Sequence, residues 1–290
     1  MTDAATGYRI AIATVRPDLA SVPMIVHTRG WDSHAVEAGG MIFKFPKRAE
    51  AKARLRKEAR LLALIRPRVP LAVPDMRLHE MPLLFSEHAM IPGTIIETRQ
   101  YDSLSDAQRN AMAEALASFY AALHAIPVRE ALASGTDAKP GWPRADAVLP
   151  ILAERLPASI YEFSTRVFAA YEALPDEDEV LGYFDGHGWN MAFDHDRGIL
   201  NGLYDFADAG LGPRSRDFTY SNLISGDLTS RLIAAYERLT GTMIERRTVA
   251  LRTAVQTLAE LAEPDAELES FTATVLRWHD YMQSHGELRI

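Results

Sequence analysis

The hydrophobic pattern of this chain changes period at Pro92-Gly93, and that change limits the architectures open to it. Before it, short apolar runs sit between Gly, Pro and Asp: Tyr8 to Thr14, Pro23 to Thr28, Ser33 to Ala38, Met41 to Phe45 and, just ahead of the break, about Leu83 to Met90. Runs of this kind read as strands, with neighbouring side chains on opposite faces. One helix interrupts them, from about Arg48 to Ile65. There Leu55, Ala59, Leu62 and Leu64 or Ile65 share a face, while Lys52, Arg54, Arg56 and Lys57 point outward. Beyond Pro92-Gly93 the period becomes 3.6. Met112, Leu116, Phe119, Tyr120 and Leu123 form one stripe, Ser105 with Gln108 makes a capping box at its start, and Pro127 closes it. Ala133 to Ala147 reads as a loop. Helical patterns then resume, are broken by strand pieces from Val180 to Phe206, and return from Asp217 onward.

The expectation is an α+β chain of two lobes: a β-rich lobe over residues 1–91 and a mainly helical lobe over 92–290, with a cleft between them suited to small ligands. At 290 residues and 48% hydrophobic content the core can be large. The absence of cysteine excludes disulfides, thiolate metal sites and a Cys nucleophile. A net charge of −8 argues against non-specific nucleic-acid or anionic-membrane binding. With no leader-like N-terminus and no apolar run near the length of a membrane span, the cytoplasm is the default expectation.

The most informative segment is Asp185-Gly-His-Gly-Trp-Asn190, followed by Tyr204-Asp205-Phe206. Phosphoryl transfer from a nucleotide needs a divalent metal held by hard oxygen donors and a carboxylate that orients the acceptor hydroxyl and takes its proton. A loop Asp, an Asn five positions later and a second Asp at the end of the next hairpin supply those parts. In that reading Asp185 is the base, and Asn190 and Asp205 hold Mg2+. Each residue alone is also an ordinary turn residue; the information lies in their arrangement.

Here the sequence resembles the aminoglycoside-phosphotransferase and choline-kinase group of protein-kinase-like enzymes. Their catalytic loop reads His-Gly-Asp-Leu-His-x-x-Asn, and a later strand ends in Ile-Asp-Phe or Ile-Asp-Trp. Asp185, His187, Asn190 and Tyr204-Asp205-Phe206 match. The leading His-Gly is Tyr183-Phe184 here, so Tyr183 is expected to support the loop from behind. Upstream, Gly30-Trp31-Asp32-Ser33, the strand Ala35 to Glu37 and Met41-Ile-Phe-Lys-Phe-Pro46 are similar to the family's nucleotide-covering hairpin and the strand after it. The resemblance implies that Lys44 reaches the nucleotide phosphates and that Glu58, 14 residues on, orients it. It further implies that backbone amides from Asp32 through Ser33 to His34 approach phosphate, and that the hinge Glu87, His88 and Ala89 hydrogen-bonds the base of ATP or GTP. Asp217 would brace the catalytic loop, and His124 would pack at a helix end. By local pattern alone, Lys44 between two Phe residues belongs in solvent, and Glu58 in an exposed pair with Arg54. The resemblance spans about Val26 to Leu223 and implies a bilobal kinase-like fold, a nucleotide donor and a small-molecule hydroxyl acceptor.

Other chemistries find less support. No paired histidine spacing suits zinc, and Ser221 and Ser225 lack a nucleophile-elbow frame. A polycationic acceptor such as an aminoglycoside would want carboxylates, for which Asp208, Glu260, Glu263, Asp265, Glu267 and Glu269 are candidates. A choline-like acceptor would want an aromatic cage, for which Trp189, Trp278 and Tyr281 are candidates. Sugar or amino-alcohol acceptors stay open, as does a nucleotide-binding protein with little or no transfer activity.

Overall fold

The structure, a computed structural model, describes residues 3–28, 30, 32–263 and 268–286. Helix α1 (Asp3–Val15) precedes strands β1 (Ile25–His27), β2 (Ser33–Ala38) and β3 (Met41–Pro46). Helix α2 (Ala49–Ile65) leads to β4 (Arg77–His79) and β5 (Phe85–Ala89). The five strands form one antiparallel sheet in the order β1-β2-β3-β5-β4. On β3 the alternation is clean: Phe43 and Phe45 are buried in the apolar layer with Phe85, Ala11 and Ile12, so Lys44 faces the other side.

That layer contains a correction. Tyr8 to Thr14, expected as a strand, lies within α1. Ala11 and Ile12 are buried, and Tyr8 and Val15 pack beside them, which is an i, i+3, i+4, i+7 helical stripe. Tyr8 stacks on Phe45 at 4.4 Å between ring centroids.

Past the sheet come α3 (Thr98–Asp102), α4 (Asp106–His124), α5 (Val128–Ala133), α6 (Ala145–Arg155) and α7 (Ala158–Glu172). Strands β6 (Glu179–Gly182), β7 (Met191–Asp194), β8 (Ile199–Leu203) and β9 (Gly210–Pro213) form two short antiparallel pairs, β6 with β9 and β7 with β8. Helices α8 (Gly226–Thr240), α9 (Arg246–Ala262) and α10 (Leu268–Ser284) follow. The expected capping box forms at Ser105 and Gln108 and starts α4. Leu116, Tyr120 and Leu123 of α4 share one core with Leu228, Leu232 and Tyr236 of α8 and with the short strands. A second core joins α6, α7 and α9 through Leu152, Phe163, Val167, Leu251 and Val255. Among the described residues no helix is long and apolar enough to cross a membrane.

The connector after β5 is held against β7. Thr94 N and Phe193 O, and Phe193 N and Thr94 O, are each 2.9 Å apart. Gly93, at φ +132°, lets the chain pass so close that a Cβ there would lie 2.7 Å from Phe193 N. The sheet is thereby fixed over the β7–β8 hairpin, which leads into Asp205.

Candidate active site

Strand β3 aims Lys44 away from the aromatic layer, and α2, which follows directly, turns the buried Glu58 toward it. Lys44 Nζ donates to Glu58 Oε1 at 2.8 Å and to Asp205 Oδ1 at 3.0 Å. Glu58 Oε1 also accepts the backbone N–H of Phe206 at 3.0 Å. Strand, helix and the segment after β8 therefore meet at one ammonium. Burial disfavours the Lys44 charge, but Asp205 and Glu58 outweigh it, and the lysine pKa lies above its ordinary value. The Lys44 charge, working against the cost of burial, holds the Asp205 carboxyl below the usual carboxylate range. Burial pushes Glu58 up, opposed by Lys44.

The catalytic-loop candidates converge beside this triad. Asn190 Nδ2 donates to Asp185 Oδ2 at 2.6 Å and to the Asp185 carbonyl at 3.1 Å, closing the loop on itself. His187 Nε2 lies 3.1 Å from Asp185 Oδ1, and its buried Nδ1 has no partner among the described residues. Phe184 and Asp205 are the two non-glycine residues with positive φ among those described, at +55° and +63°. Such conformations persist where surroundings over-determine them.

The surroundings here are explicit. Buried Asp217 accepts the backbone N–H of Phe184 on Oδ1 at 2.6 Å, and its Oδ2 accepts the backbone N–H of Tyr183 at 3.1 Å and meets His124 Nε2 at 2.8 Å. His124 Nδ1 lies 2.9 Å from the Tyr236 hydroxyl, which accepts from Arg214 Nη1 at 2.7 Å. The Tyr183 hydroxyl, its pKa pushed up chiefly by burial, donates to the carbonyl of Tyr204, the residue before Asp205. Tyr183 thus joins the Asp185–Asn190 loop to the Asp205 segment. The helix-end histidine expected only to pack is part of this brace, through a hydrogen bond that a sequence does not display.

A cleft of about 490 Å3 is lined by Asp32, Ser33, Lys44, Glu58, Asp185, Asp205 and Asp208, together with Arg48 and Arg54. The two arginines are not evident as cleft residues from the sequence, where the helical pattern points Arg54 outward, yet both line the cleft and bond Asp32. The expected alternative partner of Arg54, Glu58, is taken by Lys44. His34 is on the far side of β2: its Nδ1 lies 2.5 Å from the Tyr8 hydroxyl, and burial lowers its pKa. Glu87 likewise faces away, 3.3 Å from His79, while His88 is buried opposite Ile42 on the Lys44 side of the sheet and Ala89 is exposed.

Of the acceptor candidates, Glu260 lies on α9. Burial pushes its carboxyl up, against the Gln256 side chain, which donates to it at 3.1 Å, while His187 and Asp185 act on it in opposite directions. Asp208 is paired with Lys139. Trp189 is exposed and donates its indole N–H to Glu97 at 3.1 Å, and Tyr281 stacks on His285. Glu263 is exposed beyond the end of α9, and it is its backbone carbonyl that binds Arg155. Trp31, Asp265 and Glu267 and the side chains of Glu269 and Trp278 lie outside the described residues.

Comparison with known proteins follows the same outline. The sequence model of a phosphotransferase enzyme family matches residues 26–252. No curated protein matches the chain. Among solved structures, the GDP complex of wild-type aminoglycoside 2'-phosphotransferase-IIIa superposes with a TM-score of 0.72 at 22% identity, covering 98% of this chain and 96% of that one. Macrolide 2'-phosphotransferase type I gives 0.71 at 21% identity, with 95% and 98% covered. The macrolide 2'-phosphotransferase MphH from Brachybacterium faecium gives 0.67 at 19% identity, with 92% and 97% covered.

Proposed function

This chain belongs to the phosphotransferase enzyme family, and on that premise we propose that it transfers the terminal phosphoryl group of ATP or GTP to a hydroxyl of a small, aminoglycoside-like acceptor. The observation that carries the reading is the Lys44 ammonium bridging Glu58 and Asp205, residues far apart in sequence, at the wall of a cleft that also holds Asp185. A lysine held there by two carboxylates is poised to meet nucleotide phosphates without reorganising.

Asp185 is the base: its carboxylate, fixed by Asn190 and close to His187, orients the acceptor hydroxyl and receives its proton as the new P–O bond forms and the bond from the terminal phosphorus to the bridging oxygen breaks, releasing the nucleoside diphosphate. The residues suit a hard divalent cation. Among the described residues Asn190 uses its amide nitrogen on Asp185 and keeps its oxygen available, and the Asp205 carboxylate, which meets Lys44 with one oxygen and also takes the Ala207 backbone N–H, has lone pairs to spare. Asn190 and Asp205 would hold Mg2+, which characteristically takes one or two protein oxygens plus phosphate. Bound there, Mg2+ supplies charge neutralisation to the transferring phosphoryl group.

Backbone groups near Asp32 and Ser33 and around Glu87 to Ala89 are the candidate contacts for phosphate and base. Asp185, Asp205 and Asp208 line the cleft with carboxylates, which favours an amine-bearing acceptor, and solved neighbours include kanamycin and gentamicin complexes. The test is a transfer assay with ATP and with GTP across aminoglycosides, macrolides, choline and amino sugars. Incorporation of the terminal phosphate into one acceptor, dependent on Asp185, supports the reading. Nucleotide binding with no product from any acceptor would leave a binding protein instead.

A further inference from the structure

Two guanidinium groups, those of Arg48 and Arg54, line the cleft. Arg48 Nη2 donates to Asp32 Oδ1 at 3.0 Å, and Arg54 Nη1 donates to Asp32 Oδ2 at 2.9 Å. Among the described residues each guanidinium gives one nitrogen to Asp32 and has no other hydrogen-bond partner. Both line the chamber that contains Lys44, Asp185, Asp205 and Asp208. Arg54 sits one helical turn before Glu58, so α2 presents both along one stripe. On the side of the sheet and α2 the chamber carries three cationic groups, Lys44, Arg48 and Arg54, against the carboxylates of Asp32 and Glu58 that position them, while Asp185, Asp205 and Asp208 line the rest. The charge is also concentrated locally. From Lys47 to Arg60 the chain carries seven Lys and Arg residues against Glu50 and Glu58, although the whole chain has a net charge of −8.

We propose that Arg48 and Arg54, pre-positioned by Asp32, clamp the terminal phosphate of the bound nucleotide. The inference rests on the phosphotransferase reading of this cleft. It assigns a second cationic contact beyond Lys44, made through the planar donor geometry that suits phosphate oxygens. The terminal phosphate is the group that must lie between Asp185 and Asp205 for transfer, and the wall opposite those carboxylates belongs to α2. An ion pair of purely structural value at so exposed a position would contribute little.

The test is calorimetric titration of the magnesium complexes of ATP, ADP, GTP and GDP into the whole protein and its variants. In R48Q/R54Q the affinity for the preferred triphosphate should fall about tenfold or more, while that for the matching diphosphate stays within about twofold. R48K/R54K keeps the charge and should lose part of the preference. Lys52→Gln, on the same helix but outside the cleft, should change neither. Equal losses for both nucleotides, or none, overturn the clamp. Wild-type protein that binds none of the four nucleotides overturns the phosphotransferase reading and the clamp with it. Wild-type binding with an unaltered triphosphate preference in R48Q/R54Q overturns the clamp alone. Melting temperatures verify folding, and the single variants serve if the double variant unfolds.

Discussion

The Lys44 ammonium lies within 3.0 Å of two carboxylates, and removing it would leave them facing one another in the cleft. Asp205 has a folded-state pKa held down mainly by Lys44. Its ion pair therefore stabilises the fold above the unfolded-state carboxylate pKa and loses that contribution as pH falls through the depressed value. In Lys44→Ala the Asp205 titration should move up, read by carboxyl carbon NMR, with an unmoved midpoint counting against the pair. Asp185→Asn should abolish transfer and leave nucleotide affinity nearly intact, because the base acts on the acceptor hydroxyl; affinity falling along with turnover would place Asp185 among the metal ligands instead. Gly186 offers a steric test. A Cβ there would lie 2.1 Å from the Tyr120 hydroxyl, a buried group with no hydrogen-bond partner among the described residues. Gly186→Ala should cost about 1–3 kcal/mol through overpacking, and Tyr120→Phe, which deletes the offending oxygen, should restore most of it. Denaturant melts that show no recovery in the double variant would refute the contact.

The β3–α2 unit was legible because two signals agreed: the alternation of Phe43, Lys44 and Phe45 and the helical stripe after Arg48. The same holds for α4, whose start was written in Ser105 and Gln108. Helix α1 was not, since Ile10, Ile12 and Thr14 favour strand locally, and only packing of Tyr8, Ala11, Ile12 and Val15 on the sheet decides for helix. Three-residue β4 is too short to leave a period. At the candidate site, the residues of the Asp185–Asn190 loop and Asp205 could be named from sequence, but the direction of a side chain could not. His34 turns to Tyr8, and Arg54 turns into the cleft, because partners distant in sequence receive them. Tyr8 should accordingly matter more than an edge residue. Tyr8→Ala removes the stack on Phe45 and the contact to His34, and should lower stability by about 2 kcal/mol in thermal or denaturant unfolding. A change within about 0.5 kcal/mol would mean that α1 adds little to the sheet.

The two parts of the molecule are tied together at the site itself, by Lys44 to Asp205 and by Glu58 to the backbone of Phe206, while Asp217 braces the loop from deep within the helical part. Two carboxylates close to one loop therefore have different duties, and ligand linkage separates them. A nucleotide that binds only the folded state adds RT ln(1 + [L]/Kd), about 2.7 kcal/mol at a hundredfold excess over Kd, so the magnesium-nucleotide complex should raise the melting temperature of the wild type by several degrees. Asp217 is buried and accepts two backbone N–H groups besides meeting His124. Asp217→Asn exchanges one accepting oxygen for an amide donor, and the melting temperature without ligand should drop, by an amount equivalent to about 3 kcal/mol. Because Asp217 lines no part of the cleft, the nucleotide-induced rise should persist in that variant. Asp205 is partly exposed and lines the cleft, so Asp205→Ala should change the ligand-free melting temperature less and lose most of the magnesium-dependent rise. Scanning both variants with and without magnesium and nucleotide gives four differences. A retained magnesium-dependent rise in Asp205→Ala, or its loss in a folded Asp217→Asn, would reverse the assignment of the two carboxylates.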